Sequence, residues 1–188
     1  MDISTIIIGL LAYIIGAIPT GYLIAKLKGI ADIRAHGSGN IGATNVSRLF
    51  GLHYFFLIFL LDAGKAFFFM YLIKPYFTDS YLFIFAALLL IGNGCSLFLR
   101  GSGGKGVATL LGLLAILHTF SIILLLGLWS ILLVITQTVG IASVGAIICL
   151  PIYAYTTHNS SFFLFSLFAT LWIIRTHHSN IRNYWAQR

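Results

Sequence analysis

Apolar residues run along this chain in long blocks separated by short polar segments. The first block covers roughly Ile3 to Ala25, enough for a membrane-spanning helix of about 20 residues. Pro19 falls inside it and predicts a kink. The second block covers about Leu52 to Ile73 and exits at Lys74-Pro75 and the Thr78-Asp79-Ser80 turn. The third covers about Tyr81 to Leu99. From Val107 to Tyr155 the apolar sequence is nearly unbroken, with polar breaks at His118-Thr119 and Gln137-Thr138-Val139-Gly140. Those breaks divide it into segments near 107–118, 120–136 and 141–156. The first of these is short for a span, so the stretch holds either two long helices or three short ones. Residues Thr156 to Ser160 form a loop, and a last helix runs from about Ser161 to Ile174. The expected fold is all-α: a polytopic transmembrane helix bundle of seven helices, five being the alternative, with glycine-rich loops on the cytoplasmic side. It forms one domain over residues 1–188.

Composition agrees with this pattern. The chain is 60% hydrophobic and 8% charged, against about 25% charged in soluble domains. Asp2 and no base precedes the first block, which is too long for the apolar core of a signal peptide, so that block is expected to be retained. The net charge of +7 raises the question of nucleic acid. The bases do not form a long patch; they sit at the ends of apolar blocks, where topology is encoded. With the N-terminus outside, Lys26, Lys28, Arg34, Arg48, Arg100, Lys105, Arg175, Arg182 and Arg188 all fall inside. Lys74 alone lies in an outer loop, and Lys65 lies within a helix. This asymmetry requires an odd number of helices. Cys95 and Cys149, far apart and outside any CxxC spacing, argue against a disulfide or a metal site. There is no glutamate, and Asp2, Asp32, Asp62 and Asp79 are too few and too scattered for a metal-carboxylate centre.

Three polar islands interrupt the apolar chain, and the orientation above puts all of them on one face. The first reads Gly37-Ser38-Gly39-Asn40-Ile41-Gly42-Ala43-Thr44-Asn45-Val46-Ser47-Arg48. Glycines let the backbone approach a ligand closely, and Arg48 adds a fixed charge suited to an anion. The second, Gly101-Ser102-Gly103-Gly104-Lys105-Gly106-Val107-Ala108-Thr109, runs straight into a helix. A helix N-terminus offers free N–H groups to an anion, and Lys105 adds a mobile donor. The third holds His177, His178, Asn180 and Arg182 just past the last apolar block. Plainer readings are a flexible loop, an anchoring lysine and a headgroup-contacting basic segment. Asp62 and Lys65 are charged residues inside the second block, three apart and so on one helix face. They read as a structural ion pair or as support for the active site.

These islands resemble the three signature motifs of the PlsY family of bacterial acyl-phosphate:glycerol-3-phosphate acyltransferases. Gly37 through Arg48 is similar to the first motif, Gly103 through Thr109 to the core of the second, and His177, Asn180 and Ile181 to the third. Ala142-Ser143-Val144-Gly145 resembles a serine-containing segment of the family. The chain departs from the family pattern at Asn93, Ser96, Gly101-Ser102 and Asn183, and in lacking a late glutamate; Arg100 is a candidate replacement for a lost charge. The resemblance implies a multi-pass enzyme of the bacterial inner membrane with its site open to the cytoplasm. It implies acyl-phosphate and glycerol 3-phosphate as substrates, no metal or cofactor, no nucleic acid and no obligate protein partner. Catalytic roles then fall to Ser38, Arg48, Lys105, His177 and Asn180. Gly39, Asn40, Ala43, Thr44, Asn45, Gly103, Gly104, Gly106 and Ser143 would bind substrate. Arg48 would clamp glycerol 3-phosphate. Lys105 and the Gly103–Gly106 turn would hold the acyl-phosphate. Ser38, His177 and Asn180 would orient the hydroxyl and carbonyl. A transporter of a phosphorylated solute and an inactive, ligand-binding paralogue are the competing readings.

Overall fold

The structure is a computed structural model that describes residues 2–186; Arg188, counted above among the inner-side bases, lies outside them. Ten α-helices occupy the described residues. They are α1 (Ile3–Ala17), α2 (Thr20–Leu27), α3 (Ala43–Phe50), α4 (Leu52–Ile73) and α5 (Asp79–Gly94), followed by α6 (Val107–Leu117), α7 (Thr119–Thr136), α8 (Val139–Thr156), α9 (Ser160–Thr176) and α10 (His178–Ala186). Four elements, Leu52–Tyr76, Asp79–Leu99, α7 and α8, are long and apolar enough to cross a membrane. The pair α1–α2, bent by 41° across Ile18-Pro19, is long and apolar enough only when its two helices are taken together. The shorter apolar helices α6 and α9 complete the bundle.

One expectation needs correction. The first island is not all loop: from Ala43 onward it is the helix α3. Val46 supplies the reason, being fully buried on the inner face of an otherwise polar turn. The third island, placed just past the last apolar block, is also helical: only His177 separates α9 from α10. In α3 short polar side chains on a solvated face are compatible with a helix because Asn45 and Val46 pack on the bundle, whereas α10 buries no residue and rests against α8 and α9.

Helices meet through small residues. α1 packs on α5 and α4 on α6. A Cβ at Gly16 would overlap the Leu89 carbonyl, and one at Gly112 would overlap the Ala63 carbonyl. Without a hydrophobic gradient between helices in lipid, such close backbone approach is the main source of packing energy. Gly112→Val is expected to lower stability by about 1–3 kcal/mol, read as a fall in thermal unfolding temperature in detergent.

Backbone groups at the helix interruptions are covered by side chains. At the α1–α2 break, Ser96 Oγ donates to the Ala17 carbonyl at 2.5 Å and Lys65 Nζ to the Ile18 carbonyl at 2.8 Å. Lys65 also pairs with Asp62 at 2.7 Å, and Asp62 accepts the Thr20 hydroxyl at 2.8 Å. At the far end of α6, Lys74 Nζ donates to the Ile116 carbonyl at 2.8 Å and Thr119 Oγ1 to the Ala115 carbonyl at 2.9 Å. These donors satisfy carbonyls that a terminating helix leaves open, which lets α6 stop after 11 residues.

Candidate active site

The three islands converge on one cavity of about 730 Å³. Ser38, Asn40, Ala43, Thr44, Asn45 and Arg48 line it from the first island, and Gly104, Lys105 and Gly106 from the second. His177 and Asn180 line it from the third, and Ser143 from α8. Two predicted ligand residues, Gly39 and Gly103, are not in the lining. Gly39 turns the first loop at φ +71°. Gly103 lies so close to the end of α5 that a Cβ would strike the Asn93 carbonyl. Arg100 does not replace a lost charge: it is exposed, left-handed at φ +55°, and outside the cavity lining.

The first island is held by Asn45, which is 2% exposed. Its Nδ2 donates to the carbonyls of His36 at 2.9 Å and Asn40 at 2.8 Å, and its Oδ1 accepts from Ser38 N–H at 2.8 Å. Both of its donors are therefore engaged within the loop. Asn45 braces the turn while lining the cavity. Gly37, at φ +58°, fits against this amide where a side chain would not. Asn40 Oδ1 accepts from Gly42 N–H at 2.7 Å, just before α3 begins.

The second island is anchored at both sides. Gly104 N–H donates to the Asn93 carbonyl at 2.8 Å, and Thr176 Oγ1 donates to the Lys105 carbonyl at 3.0 Å. Gly106, at φ +87°, turns the chain into α6. The first-turn N–H groups of α6 thus open beside the cavity without helical partners. Lys105 Nζ donates to Asn180 Oδ1, a bond that joins the second and third islands.

The one acid that lines the cavity, Asp62, is paired with Lys65 at 2.7 Å. Neither Arg48 nor Lys105 has a carboxylate partner among the described residues. Burial pushes the Lys105 ammonium down to about 8, and the Arg48 charge adds to the shift. His177 is 2% exposed. Burial pushes its imidazole down to about 4, with the Lys105 charge contributing and the Ile173 carbonyl opposing. Nδ1 lies 2.8 Å from that carbonyl, which can only accept, so Nδ1 carries the proton and Nε2 is the free acceptor. The site is built for anions and for a hydroxyl donor. Among the described residues, no three His, Cys, Asp or Glu side chains gather where they could hold a metal ion.

Away from the islands the cavity becomes apolar. Phe55, Phe56, Phe59 and Leu60 of α4 face Leu110 and Leu111 of α6, Leu125 and Leu126 of α7, and Ala146 and Ile147 of α8. Trp129 and Ser143 mark the junction, with Trp129 Nε1 donating to Ser143 Oγ at 3.2 Å. Several contributors carry little sequence signal. Asn93 is buried and lines the cavity, its Oδ1 3.0 Å from where a Cβ on Gly104 would be. Gly140, read as part of a break, makes room for the Asn180 amide. Only the departure at Asn93 and the glycine at a helix start pointed to these positions.

The two pKa shifts predict a pH profile. Lys105 is charged below about 8 and His177 neutral above about 4. The free enzyme has both forms between those limits, so kcat/KM should fall above about pH 8. Lys105→Arg, if active, should lose that alkaline limb, because guanidinium stays charged. An unchanged limb would assign it to another group.

Comparison with known proteins places these observations. A family model described as glycerol-3-phosphate acyltransferase matches residues 6–187. A glycerol-3-phosphate acyltransferase of Thermosipho melanesiensis is 37% identical over 172 residues, covering 92% of this chain and 84% of that protein. One from Desulforudis audaxviator is 38% identical over 178 residues, covering 94% and 89%. The crystal structure of PlsY, an integral membrane glycerol 3-phosphate acyltransferase, in its glycerol 3-phosphate form superposes with TM-score 0.92 at 31% identity. That match covers 98% of this chain and 94% of the other. The lysophosphatidic acid form of the same enzyme superposes with TM-score 0.89 at 30% identity, covering 98% and 93%.

Proposed function

This chain belongs to the glycerol-3-phosphate acyltransferase family, and we propose that it moves an acyl group from an acyl-phosphate to the 1-hydroxyl of sn-glycerol 3-phosphate, releasing lysophosphatidate and inorganic phosphate. The observation that carries this reading is the two-part cavity. Cationic and amide donors of three islands meet at one end, and an apolar wall from four helices extends from it. That shape suits a donor with a phosphate head and a fatty tail beside a small second phosphate.

The chemistry needs little from the protein beyond placement and charge stabilisation, because the acyl-phosphate is already activated. Arg48 grips the phosphate of glycerol 3-phosphate. Lys105, Gly104, Gly106 and the first turn of α6 hold the acyl-phosphate. Ser38, Asn180 and His177 Nε2 orient the nucleophile and the carbonyl. The hydroxyl oxygen bonds to the carbonyl carbon, the bond from that carbon to the phosphate oxygen breaks, and the hydroxyl proton leaves with the released phosphate. His177, held neutral and weakly basic, accepts a hydrogen bond and does not store the proton.

Purified protein given acyl-phosphate and glycerol 3-phosphate should yield lysophosphatidate and phosphate one for one. Product formed only from a different acyl donor would overturn the donor assignment. Movement of a phosphorylated solute across vesicles with no acylated product would favour transport.

The site faces the cytoplasm in this proposal, supported by the clustering of bases on its side of the bundle. A cysteine placed at the exposed Ser102 should resist an impermeant thiol reagent in intact cells and react after the membrane is opened. Strong labelling from outside would reverse the orientation.

A further inference from the structure

We propose that the break between α1 and α2 is a positioning hub that sets the two phosphate-handling islands relative to each other, with the intramembrane Asp62–Lys65 pair fixing the first and Ser96 fixing the second. The roles given to the two islands rest on the proposed function; the hub itself rests on geometry.

Where Pro19 interrupts the helix, the Ala17 and Ile18 carbonyls each take a side-chain donor from a different element, Ile18 also accepting from Thr20 N–H at 3.1 Å. Lys65, on α4, donates to the Ile18 carbonyl at 2.8 Å while paired with Asp62 at 2.7 Å. Asp62 in turn accepts the Thr20 hydroxyl at 2.8 Å. Both charged side chains are largely shielded, at 10% and 14% exposure. Charges are costly at this depth and tend to be retained where they do something. Here they grip both sides of the break. The residue after Thr20 is Gly21, and a Cβ on it would overlap the Ile41 carbonyl. The start of α2 therefore bears directly on the backbone of the first island, between Asn40 and Gly42.

The Ala17 carbonyl takes the Ser96 hydroxyl at 2.5 Å. Ser96 is 1% exposed and organises the turn that leads to the second island. Its N–H donates to the Ser102 carbonyl at 3.2 Å, and its own carbonyl accepts from Gly101 N–H at 2.9 Å and Leu99 N–H at 3.2 Å. The Tyr13 hydroxyl adds a bond to the Cys95 carbonyl at 2.8 Å. One short backbone segment thus meets both islands through separate side chains.

Separate connections give a crossed test. Amide hydrogen exchange in detergent would be followed at residues 37–46 and 101–106 in Thr20→Val, in the double variant Asp62→Leu/Lys65→Met, and in Ser96→Ala. The double variant removes both charges together, which avoids stranding one of them. The first two should speed exchange at 37–46 and spare 101–106; Ser96→Ala should do the reverse. In turnover, the first two should raise KM for glycerol 3-phosphate by about tenfold and Ser96→Ala should raise KM for acyl-phosphate, each at little change in unfolding temperature. Unchanged exchange at both islands, or equal loosening of both in every variant, overturns the hub. If the double variant does not fold, Thr20→Val decides alone. Should the wild-type protein transfer no acyl group while exchange splits as described, the functional reading fails and the hub stands.

Discussion

Lys105→Ala is expected to leave a folded protein with little acyl transfer. The alanine backbone can keep the turn, because the bonds that hold it run through the Gly104 N–H and the Lys105 carbonyl. What is lost is a half-buried ammonium with no carboxylate partner among the described residues. A charged hydrogen bond is worth about 1.5–3 kcal/mol, so kcat/KM should fall by roughly ten- to hundredfold or more. The loss of the bond to Asn180 should add to this by freeing the third island. Steady-state turnover and a thermal melt of the same preparation check both halves. Turnover close to wild type at saturating acyl-phosphate would remove Lys105 from the mechanism.

Arg48→Ala should be nearly as damaging, but in a different parameter. Arg48 sits in the last turn of α3, exposed and lining the cavity. A guanidinium can grip a phosphate with two parallel hydrogen bonds. Its removal should raise KM for glycerol 3-phosphate by about tenfold to a hundredfold, with a smaller effect on acyl-phosphate. Arg48→Lys should recover charge but not the two-point grip, and so fall between. Varying each substrate in turn separates these outcomes. A selective loss of acyl-phosphate use would show that the two phosphates are assigned to the wrong islands.

The bundle was legible from hydropathy because the apolar helices are bounded by polar residues, glycine or proline, and Leu52–Ile73 appears with the expected ends. The divided apolar stretch also resolves into three helices, α6, α7 and α8, at the polar breaks read from His118 and Gln137. The polar helices α3 and α10 were not legible. Composition there signals solvent and small residues, whereas the helicity of α3 comes from one packed face. Within the site, the chemistry-bearing residues Arg48, Lys105, His177 and Asn180 stood out by type and meet in one cavity. Asn45 looked the same as its neighbours in sequence, and only its three bonds show that it braces the turn. Gly140 and Asn93 matter through what they stand against, and such pairings across the chain leave no local pattern.

The brevity of α6 changes what the proposed fatty donor must do. Eleven residues make a helix of about 16 Å, roughly half the hydrocarbon thickness of a bilayer. Lys74 at its far end draws that end toward the opposite surface, since a lysine head seeks the interface. With that end at the opposite surface, a helix this short would hold its near end, and Lys105 beside it, below the level of the surrounding headgroups. A fatty donor can present its phosphate there while its tail stays among lipid tails. Lifting a chain into water costs about 0.8 kcal/mol per methylene, and a reaction centre sunk into the bilayer avoids that climb.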